Sequence, residues 1–173
     1  MKHVKWILTA LLVCSLTSFT EKSKTDEGLD VGDKAPDFRL GTEEDARMGL
    51  SDLKGQYIVL TFWASYDATS RMQNAAMSHM LRERYPEVKM VSVSFDRYAS
   101  IFQEAVRNDG ITASACFADM QGKQSGLFKK YNLQQGFACY LLDKEGVIVA
   151  KDISADELPL YLTEKDVEQA ERV

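Results

Sequence analysis

The side chains of this sequence that could carry redox chemistry are thiols, and none is predicted to lie where a thiol becomes reactive. The 173 residues include three cysteines: Cys14, Cys116 and Cys139. A thiol is activated at the N-terminus of a helix, where free backbone N–H groups and the helix dipole lower its pKa. A strand-to-helix junction is predicted at residues 62–71, and its polar residues at dithiol spacing are Asp67 and Ser70. This junction offers a carboxylate and a hydroxyl but no sulfur.

The junction has a recognisable pattern. Residues 62–71 read Phe-Trp-Ala-Ser-Tyr-Asp-Ala-Thr-Ser-Arg and follow an apolar run at 57–61. This segment resembles the active-site segment of thioredoxin-like proteins, in particular the TlpA-like and AhpC/TSA-like branch, whose pattern is Phe-Trp-Ala-x-aromatic-Cys-x-x-Cys-Arg. The two cysteines of that pattern fall on Asp67 and Ser70. The resemblance implies the scaffold of a thiol-disulfide site without its dithiol.

Two other segments support the resemblance, which covers about residues 31–162. Gly32–Leu40 is similar to the start of TlpA-like and peroxiredoxin-like domains. Tyr131–Asp143 matches the loop and strand in which thioredoxins carry a cis-proline. The resemblance implies an α/β, thioredoxin-like fold: a central mixed sheet flanked by helices, with the N-terminal extension and the extra strand and helix of the TlpA-like branch.

The residue in the place of the attacking cysteine is Asp67. Asp is among the best helix N-cap residues, but its carboxylate forms no mixed disulfide. We interpret Asp67 as a cap that keeps the geometry of the turn; the alternative is a contact between its carboxylate and a ligand or partner. Ser70, in the place of the resolving cysteine, is expected to close the same helical turn by a hydrogen bond.

Two further positions depart from the family pattern. Thioredoxins carry a buried acid two residues before the tryptophan, where this chain has Thr61, which relays no proton at physiological pH. Phe137 stands at the cis-proline position. Since a cis peptide before a non-proline residue costs about 2.5–4 kcal/mol, we expect a trans bond and an altered loop there. The peroxiredoxin pattern, with its Pro and its single Cys, is also missing from this segment.

The cysteines that follow the N-terminal region, Cys116 and Cys139, have three open interpretations. We favour small buried hydrophobic side chains. A disulfide between the two is the second, because exported proteins retain disulfides. The third is a thiol site at Cys139, since alternation along a strand would place it on the face of Phe137. His79 has no cysteine or carboxylate at metal-ligand spacing, so we expect no metal and no cofactor.

The elements that must position these residues follow the order βαβαβαββα, with parallel βαβ units followed by an antiparallel hairpin. Strands are predicted at 57–63, 88–95, 113–118, 137–142 and 147–153, and helices at 68–84, 100–110, 126–131 and after 154. Helical spacing predicts one buried face on the first helix: Met72, Ala75, Ala76, His79 and Met80. Capping-box spacing predicts helix starts at Ser100 and Ser154, and Gly110 is expected to end the second helix.

The first 20 residues have the order of a secretory signal peptide: two lysines, an apolar run at 6–16 and then small residues. We expect export to the periplasm or cell envelope, with lipid attachment at Cys14 as the less favoured alternative. Residues 21–30 are predicted to be a polar tether, 31–162 the domain and 163–173 a charged tail. No other stretch is apolar and long enough for a transmembrane helix.

The net charge of the chain without its first 20 residues limits the classes of partner that it can bind. Removing residues 1–20 leaves 19 Lys and Arg against 26 Asp and Glu, a net charge of about −7. An acidic surface without a basic cluster argues against binding to nucleic acid. The expected partner is therefore an envelope protein or a peptide.

The sequence predicts a binding or assembly module without dithiol redox activity. The alternative is a thiol-disulfide oxidoreductase that uses Cys139, Cys116 or both. The candidate binding surface is the end of the junction together with loop 135–137, and its residues are Trp63, Tyr66, Asp67, Ala68 and Phe137. An equally weighted interpretation places Trp63 in the core.

Overall fold

The computed structural model describes residues 26–40 and 48–162. The predicted signal peptide, Cys14, the first half of the predicted tether and the predicted tail from residue 163 lie outside the described residues. In the part of the chain that is described, no helix is long and apolar enough to cross a membrane.

A mixed sheet of five strands forms the centre of the domain. Its strands are β3 (Ile58–Trp63), β4 (Lys89–Ser94), β5 (Ala115–Ala118), β6 (Cys139–Leu142) and β7 (Ile148–Lys151), while β1 (Arg39–Leu40) and β2 (Met48–Gly49) form a separate antiparallel pair. The order across the sheet is β5–β4–β3–β6–β7. β3, β4 and β5 run parallel, whereas β6 pairs antiparallel with β3 and with β7. The predicted mixed sheet is confirmed.

Three helices flank the sheet: α1 (Ala68–Arg84), α2 (Ala99–Asn108) and α3 (Gly126–Lys130). The predicted order of elements is correct, although the strands are shorter than predicted at one or both ends. The segment after Ser154 differs, because it forms a 3₁₀ helix, Ala155–Leu160, rather than an α-helix. Pro159 lies inside it and lacks the N–H that an α-helical hydrogen bond would need.

The core occupies both faces of the sheet because β3 is buried along its whole length. On one face, Phe62 packs in an aromatic cluster with Phe95 and Tyr131, at ring-centroid distances of 6.0 and 4.6 Å. On the other, Val59 packs against Met77 of α1. Each such side chain stabilises the fold by roughly 1.5–3 kcal/mol through burial. This two-sided burial fixes β3, whose C-terminal end leads into the candidate site.

The predicted buried face of α1 is wrong except at Met80, which is partly buried and packs against the core. Met72 is 68% exposed, and Ala76 and His79 are exposed as well. The face that packs on the sheet carries Ser70, Asn74, Met77, Ser78 and Leu81. Three of these five residues are polar and make hydrogen bonds with the sheet, the helix or a neighbouring loop, so apolar spacing alone selects the wrong side of the helix.

The helix boundaries confirm part of the capping predictions. α2 begins one residue before Ser100, and its N-cap is Tyr98, without a side-chain cap. The capping box predicted at Ser100 is therefore wrong. Gly110 follows the helix at φ +61°, a conformation that glycine adopts easily, as predicted. The capping box of Ser154 and Glu157 is present.

The described half of the predicted tether is bonded to the domain. Gly28 N–H donates to Lys34 O at 3.1 Å, and Lys34 N–H donates to Asp26 O at 2.9 Å. The following turn continues this contact, since Gly32 N–H donates to Ile148 O of β7. Residues 26–30 are thus held by hydrogen bonds against the start of the domain.

Candidate functional site

The candidate site lies where β3 and β4 end and α1 begins. Asp67 is the N-cap of α1, with extended backbone angles, and its Oδ1 accepts the N–H of Ser70 at 2.8 Å. Ser70 Oγ donates to Asp67 O at 3.3 Å, and its side chain is buried. The carboxylate and the hydroxyl therefore close the first turn of the helix together, as predicted. One carboxylate oxygen of Asp67 is engaged in holding that turn.

A buried carboxylate that the sequence analysis missed supports the same turn. Asp96 is 3% exposed and is the second residue after β4. Its oxygens accept the backbone N–H of Ser65 at 3.1 Å, the Oγ–H of Ser65 at 2.6 Å and the Oγ–H of Ser94 at 2.7 Å. Because β3 and β4 are parallel neighbours, an acid just after one strand reaches the turn after the other. The parallel pairing of β3 with β4 could therefore have identified Asp96 from the sequence.

The exposed part of the site is aromatic. Tyr66 is 59% exposed, and its ring lies 6.4 Å from that of Phe137. Partial burial, followed by the charges of Asp96 and Asp67, raises the pKa of Tyr66, so its hydroxyl keeps its proton at neutral pH. We define the tip as Tyr66, Asp67 and the loop 135–137.

The loop that replaces the cis-proline turns an aromatic ring inward. Phe137 is half-buried and stacks on Phe95, with ring centroids 6.0 Å apart and planes at 18°. Gly136, before it, has φ +147° and ψ +160°, a region that is essentially restricted to glycine. The described residues contain no cis peptide bond, so the expected trans bond before Phe137 is confirmed.

Trp63 does not belong to the binding surface. Its side chain is completely buried, its Nε1–H donates to Ser92 Oγ at 2.9 Å, and its ring packs near Phe102 of α2. The surface assignment of Trp63 is therefore wrong, and the core interpretation is correct. Trp63 is the last residue of β3, and it packs in a cluster with Ala105 of α2 and Ile111.

A neutral polar network occupies the position of the family's buried acid. Thr61 Oγ1 donates to Asn74 Oδ1 at 2.7 Å, and Ser92 Oγ donates to the same oxygen at 2.9 Å. None of these groups exchanges a proton at physiological pH. The network fastens α1 to β3 and β4 and cannot act as an acid or a base for the turn above it.

The two described cysteines lie too far apart for the predicted disulfide. Cys139 is paired with Thr61, Thr61 with Ser92, and Ser92 with Cys116, so the cysteines stand at the two ends of one row across four strands. Three strand spacings separate them by roughly 14 Å, whereas a disulfide needs Cα atoms within about 7 Å. Both thiols are free. The disulfide, which was the second of the three interpretations, is therefore wrong.

Cys139 does not share a face with Phe137 either. Cys139 packs in the cluster of Val59 and Met77, whereas Phe137 packs with Phe95 on the opposite side of the sheet. The reason is that β6 begins at Cys139, and the loop before it does not follow strand alternation. Burial, and secondarily the charge of Asp152, raises the pKa of the Cys139 thiol to about 12. Burial also raises the pKa of Cys116, against a hydrogen bond with Ser92.

These environments predict slow thiol chemistry. In the native protein at pH 8, we expect maleimide or disulfide reagents to label Cys116 slowly and Cys139 more slowly still. Labelling of Cys139 should be at least about 100-fold slower than in the unfolded chain, because burial shields the sulfur and raises its pKa to about 12, which depletes the thiolate. Mass spectrometry of the Cys116→Ser and Cys139→Ser variants assigns each rate. Rapid labelling of native Cys139 would contradict the structure.

An open groove runs from the tip along α1. Its volume is about 690 Å³, including the part that is open to solvent. The lining residues are Ser65, Tyr66, Ala68, Arg71, Met72, Ala75 and Asp109. Arg71 donates twice to the carboxylate of Asp109, from Nε at 2.6 Å and from Nη2 at 2.8 Å. Ala68, which the sequence analysis assigned to the binding surface, is exposed and borders this groove.

The residues that the structure describes contain no candidate metal-binding site. No group of three or more His, Cys, Asp or Glu side chains converges there. His79, on the exposed side of α1, lies with its Nδ1 2.5 Å from Nη2 of Arg82.

Comparisons with known proteins agree with this fold. A family model described as AhpC/TSA family matches residues 31–151. The thioredoxin-like protein YneN of Bacillus subtilis is 30% identical over 171 residues, covering 95% of each chain. The thiol-disulfide oxidoreductase ResA of Bacillus cereus is 25% identical over 162 residues, covering 90% of this chain and 92% of ResA.

Solved structures give the same result. A thioredoxin-like protein from Parabacteroides distasonis is 37% identical, with a TM-score of 0.66, and the match covers 78% of this chain and 96% of that one. A thiol-disulfide oxidoreductase from Bacteroides fragilis is 26% identical, with a TM-score of 0.63, covering 75% and 99%.

Proposed function

This chain belongs to the AhpC/TSA family and has the thioredoxin-like fold, and we propose that it works without dithiol chemistry, as an exported binding or assembly module in the cell envelope. The observation that carries the proposal is the position of Asp67. It occupies the helix N-terminus at which the family pattern has its attacking cysteine, and its carboxylate caps the helix. The fold is kept, but a fold alone does not determine an activity.

The thiols support the same proposal. Disulfide exchange needs an accessible thiolate and a second thiol that resolves the mixed disulfide. Cys139 is buried with its pKa near 12, and Cys116 lies at the other end of the sheet row. In the described residues no thiol lies at the tip. Export rests on the signal-like order of residues 1–20.

The tip is the proposed binding surface, and its ligand is a protein segment or peptide. Tyr66 presents an exposed ring with a protonated hydroxyl, a combination that is enriched at the energetic centres of interfaces. Phe137 supports that ring from below and is itself held by Phe95. This support limits the side-chain entropy that binding would cost.

The proposal predicts that Tyr66 dominates the affinity for the partner. A photo-crosslinking amino acid at position 66 should capture one defined protein from the cell envelope, and the same amino acid at position 161 should not. With that protein purified, Tyr66→Ala should weaken binding about 30-fold, as expected for an interface residue worth about 2 kcal/mol. Isothermal titration calorimetry measures the change. Tyr66 is exposed, so the substitution leaves the core intact.

The matched control is Tyr161→Ala, which removes another exposed tyrosine, 42% exposed, outside the tip. It should leave the affinity unchanged. Equal affinities of the native chain, Tyr66→Ala and Phe137→Ala would contradict the tip as an interface.

A second candidate function is a thiol-disulfide oxidoreductase that uses Cys139 or Cys116. ResA and the Bacteroides fragilis relative are both named thiol-disulfide oxidoreductases, which favours it. It requires the buried Cys139 to become accessible, for example by opening of the segment around β6. Insulin reduction by the native chain that Cys139→Ser abolishes is the result that would favour it over the binding module.

A further inference from the structure

A small polar pocket lies beside the first turns of α1. Its volume is about 250 Å³ including its mouth, and the polar side chains around it are Thr61, Ser70, Gln73, Asn74 and Cys139. Met77 and Ile153 close it on the apolar side. The pocket therefore lies between the helix that forms the tip and the strand that follows loop 135–137.

Within the described part of the chain, the side-chain amide of Asn74 is hydrogen-bonded through its oxygen but not through its nitrogen. Its Oδ1 accepts hydrogen bonds from Thr61 and Ser92, at 2.7 and 2.9 Å. Its Nδ2 has no hydrogen-bond partner among the described residues, although the residue is only 1% exposed. Because the oxygen is turned toward the two strands, the amide nitrogen of the planar group is directed away from them, on the side of the pocket. A buried amide donor without an acceptor is strongly unfavourable.

We propose that the pocket binds one neutral hydrogen-bond acceptor, a water molecule, held by Asn74 Nδ2. The donor group selects against a metal cation. Carboxylates bonded to two residues of the pocket wall select against an anion: Asp67 accepts the N–H of Ser70, and Asp152 accepts the N–H of Cys139 at 3.4 Å. A buried water needs two to four polar partners, and the Ser70, Thr61 and Cys139 side chains on the same walls supply the others.

The water connects two elements of the site, α1 and β6, between which Asn74 makes no direct hydrogen bond. It joins α1, which presents Asp67 at its start, to β6, which begins at Cys139 just after the tip loop. It therefore completes the polar network of Thr61, Ser92 and Asn74 on its open side. This role does not depend on whether the tip binds a partner.

A high-resolution crystal structure of the purified protein tests the proposal. We expect a water peak about 2.7–3.2 Å from Asn74 Nδ2, the range of an N–H···O hydrogen bond. In solution, the two Nδ2 hydrogens of Asn74 should show NMR cross-relaxation with water, with the sign that marks a long-lived bound molecule.

Two variants give the matched comparison. Asn74→Leu keeps a similar volume but removes the donor, and its crystal structure should lack the water peak. Met77→Leu changes the apolar wall of the same pocket and should keep the peak. The proposal is overturned by a dry pocket in the native protein, by a peak that is an ion or another molecule, or by a water that persists in Asn74→Leu.

Discussion

The double substitution Asp67→Cys with Ser70→Cys should give this chain the ability to reduce insulin, and under the proposed function the native chain should not reduce it. The two positions are the N-cap and the third residue of α1, and the backbone of the turn is held by its own hydrogen bonds and by Asp96. A thiol at position 67 would meet the free N–H groups of the helix, which lower thiol pKa values by one to several units. We expect a rate at least about tenfold above that of dithiothreitol alone, since the thiolate fraction at pH 7 rises by about that factor.

The two single variants show what each thiol contributes: the attacking thiol at position 67 and the resolving thiol at position 70. Asp67→Cys alone should form a mixed disulfide with a small disulfide reagent but should not turn over, because nothing resolves it. Ser70→Cys alone should do neither, since position 70 is buried. The native chain and Cys139→Ser should both match the background. Loss of the Asp67 cap costs about 1 kcal/mol, which thermal unfolding measures.

Two results would contradict this expectation in different ways. Insulin reduction by the native chain would contradict the proposal of a non-redox module. A double variant that forms its disulfide and still fails to turn over would mean that the two cysteines are not the only catalytic features missing from this scaffold. Thr61 and Phe137 are then the positions responsible, because one lacks the acid that moves a proton and the other changes the loop that faces the dithiol.

The fold could be predicted from the sequence because β3 and its turn carry redundant signals. A continuous apolar strand, an N-cap residue and a helix terminated at Tyr85-Pro86 all point to one local structure, and the structure has its helix at Ala68–Arg84 as predicted. The loop 143–146 is likewise a hairpin turn, with Gly146 at φ +83°. Local chemistry sufficed at both places.

The site was less predictable because its contacts join residues distant in the chain. Asn74 and Ser78 read as the polar side of α1, yet they are buried because strands and loops far away in sequence supply their hydrogen bonds. Strand alternation also failed at Phe137, where Gly136 redirects the chain just before β6. Neither effect leaves a mark in the spacing of apolar residues.

Asp96 illustrates this long-range support most clearly, and its removal should have the largest effect on stability. Asp96→Ala leaves three donors without their acceptor: the N–H and Oγ–H of Ser65 and the Oγ–H of Ser94. Hydrogen bonds to charged groups contribute about 1.5–3 kcal/mol each, but they are not additive here and water reaches Ser65. We expect the free energy of unfolding to fall by about 2–4 kcal/mol, and urea denaturation measures it.

The matched comparison is Asp119→Ala. Asp119 lies just after the neighbouring strand β5 and also accepts side-chain and backbone hydrogen bonds, from Gln121 N–H and Ser125 Oγ–H, but it is only half-buried. This change should cost about 1 kcal/mol. Asp96→Asn keeps the shape and one acceptor oxygen and should fall between the two. Hydrogen exchange at Ser65 and Tyr66 should accelerate in Asp96→Ala and not in Asp119→Ala, since only Asp96 holds the turn below the tip. Equal losses for the two alanine variants would mean that this buried carboxylate does not organise the site.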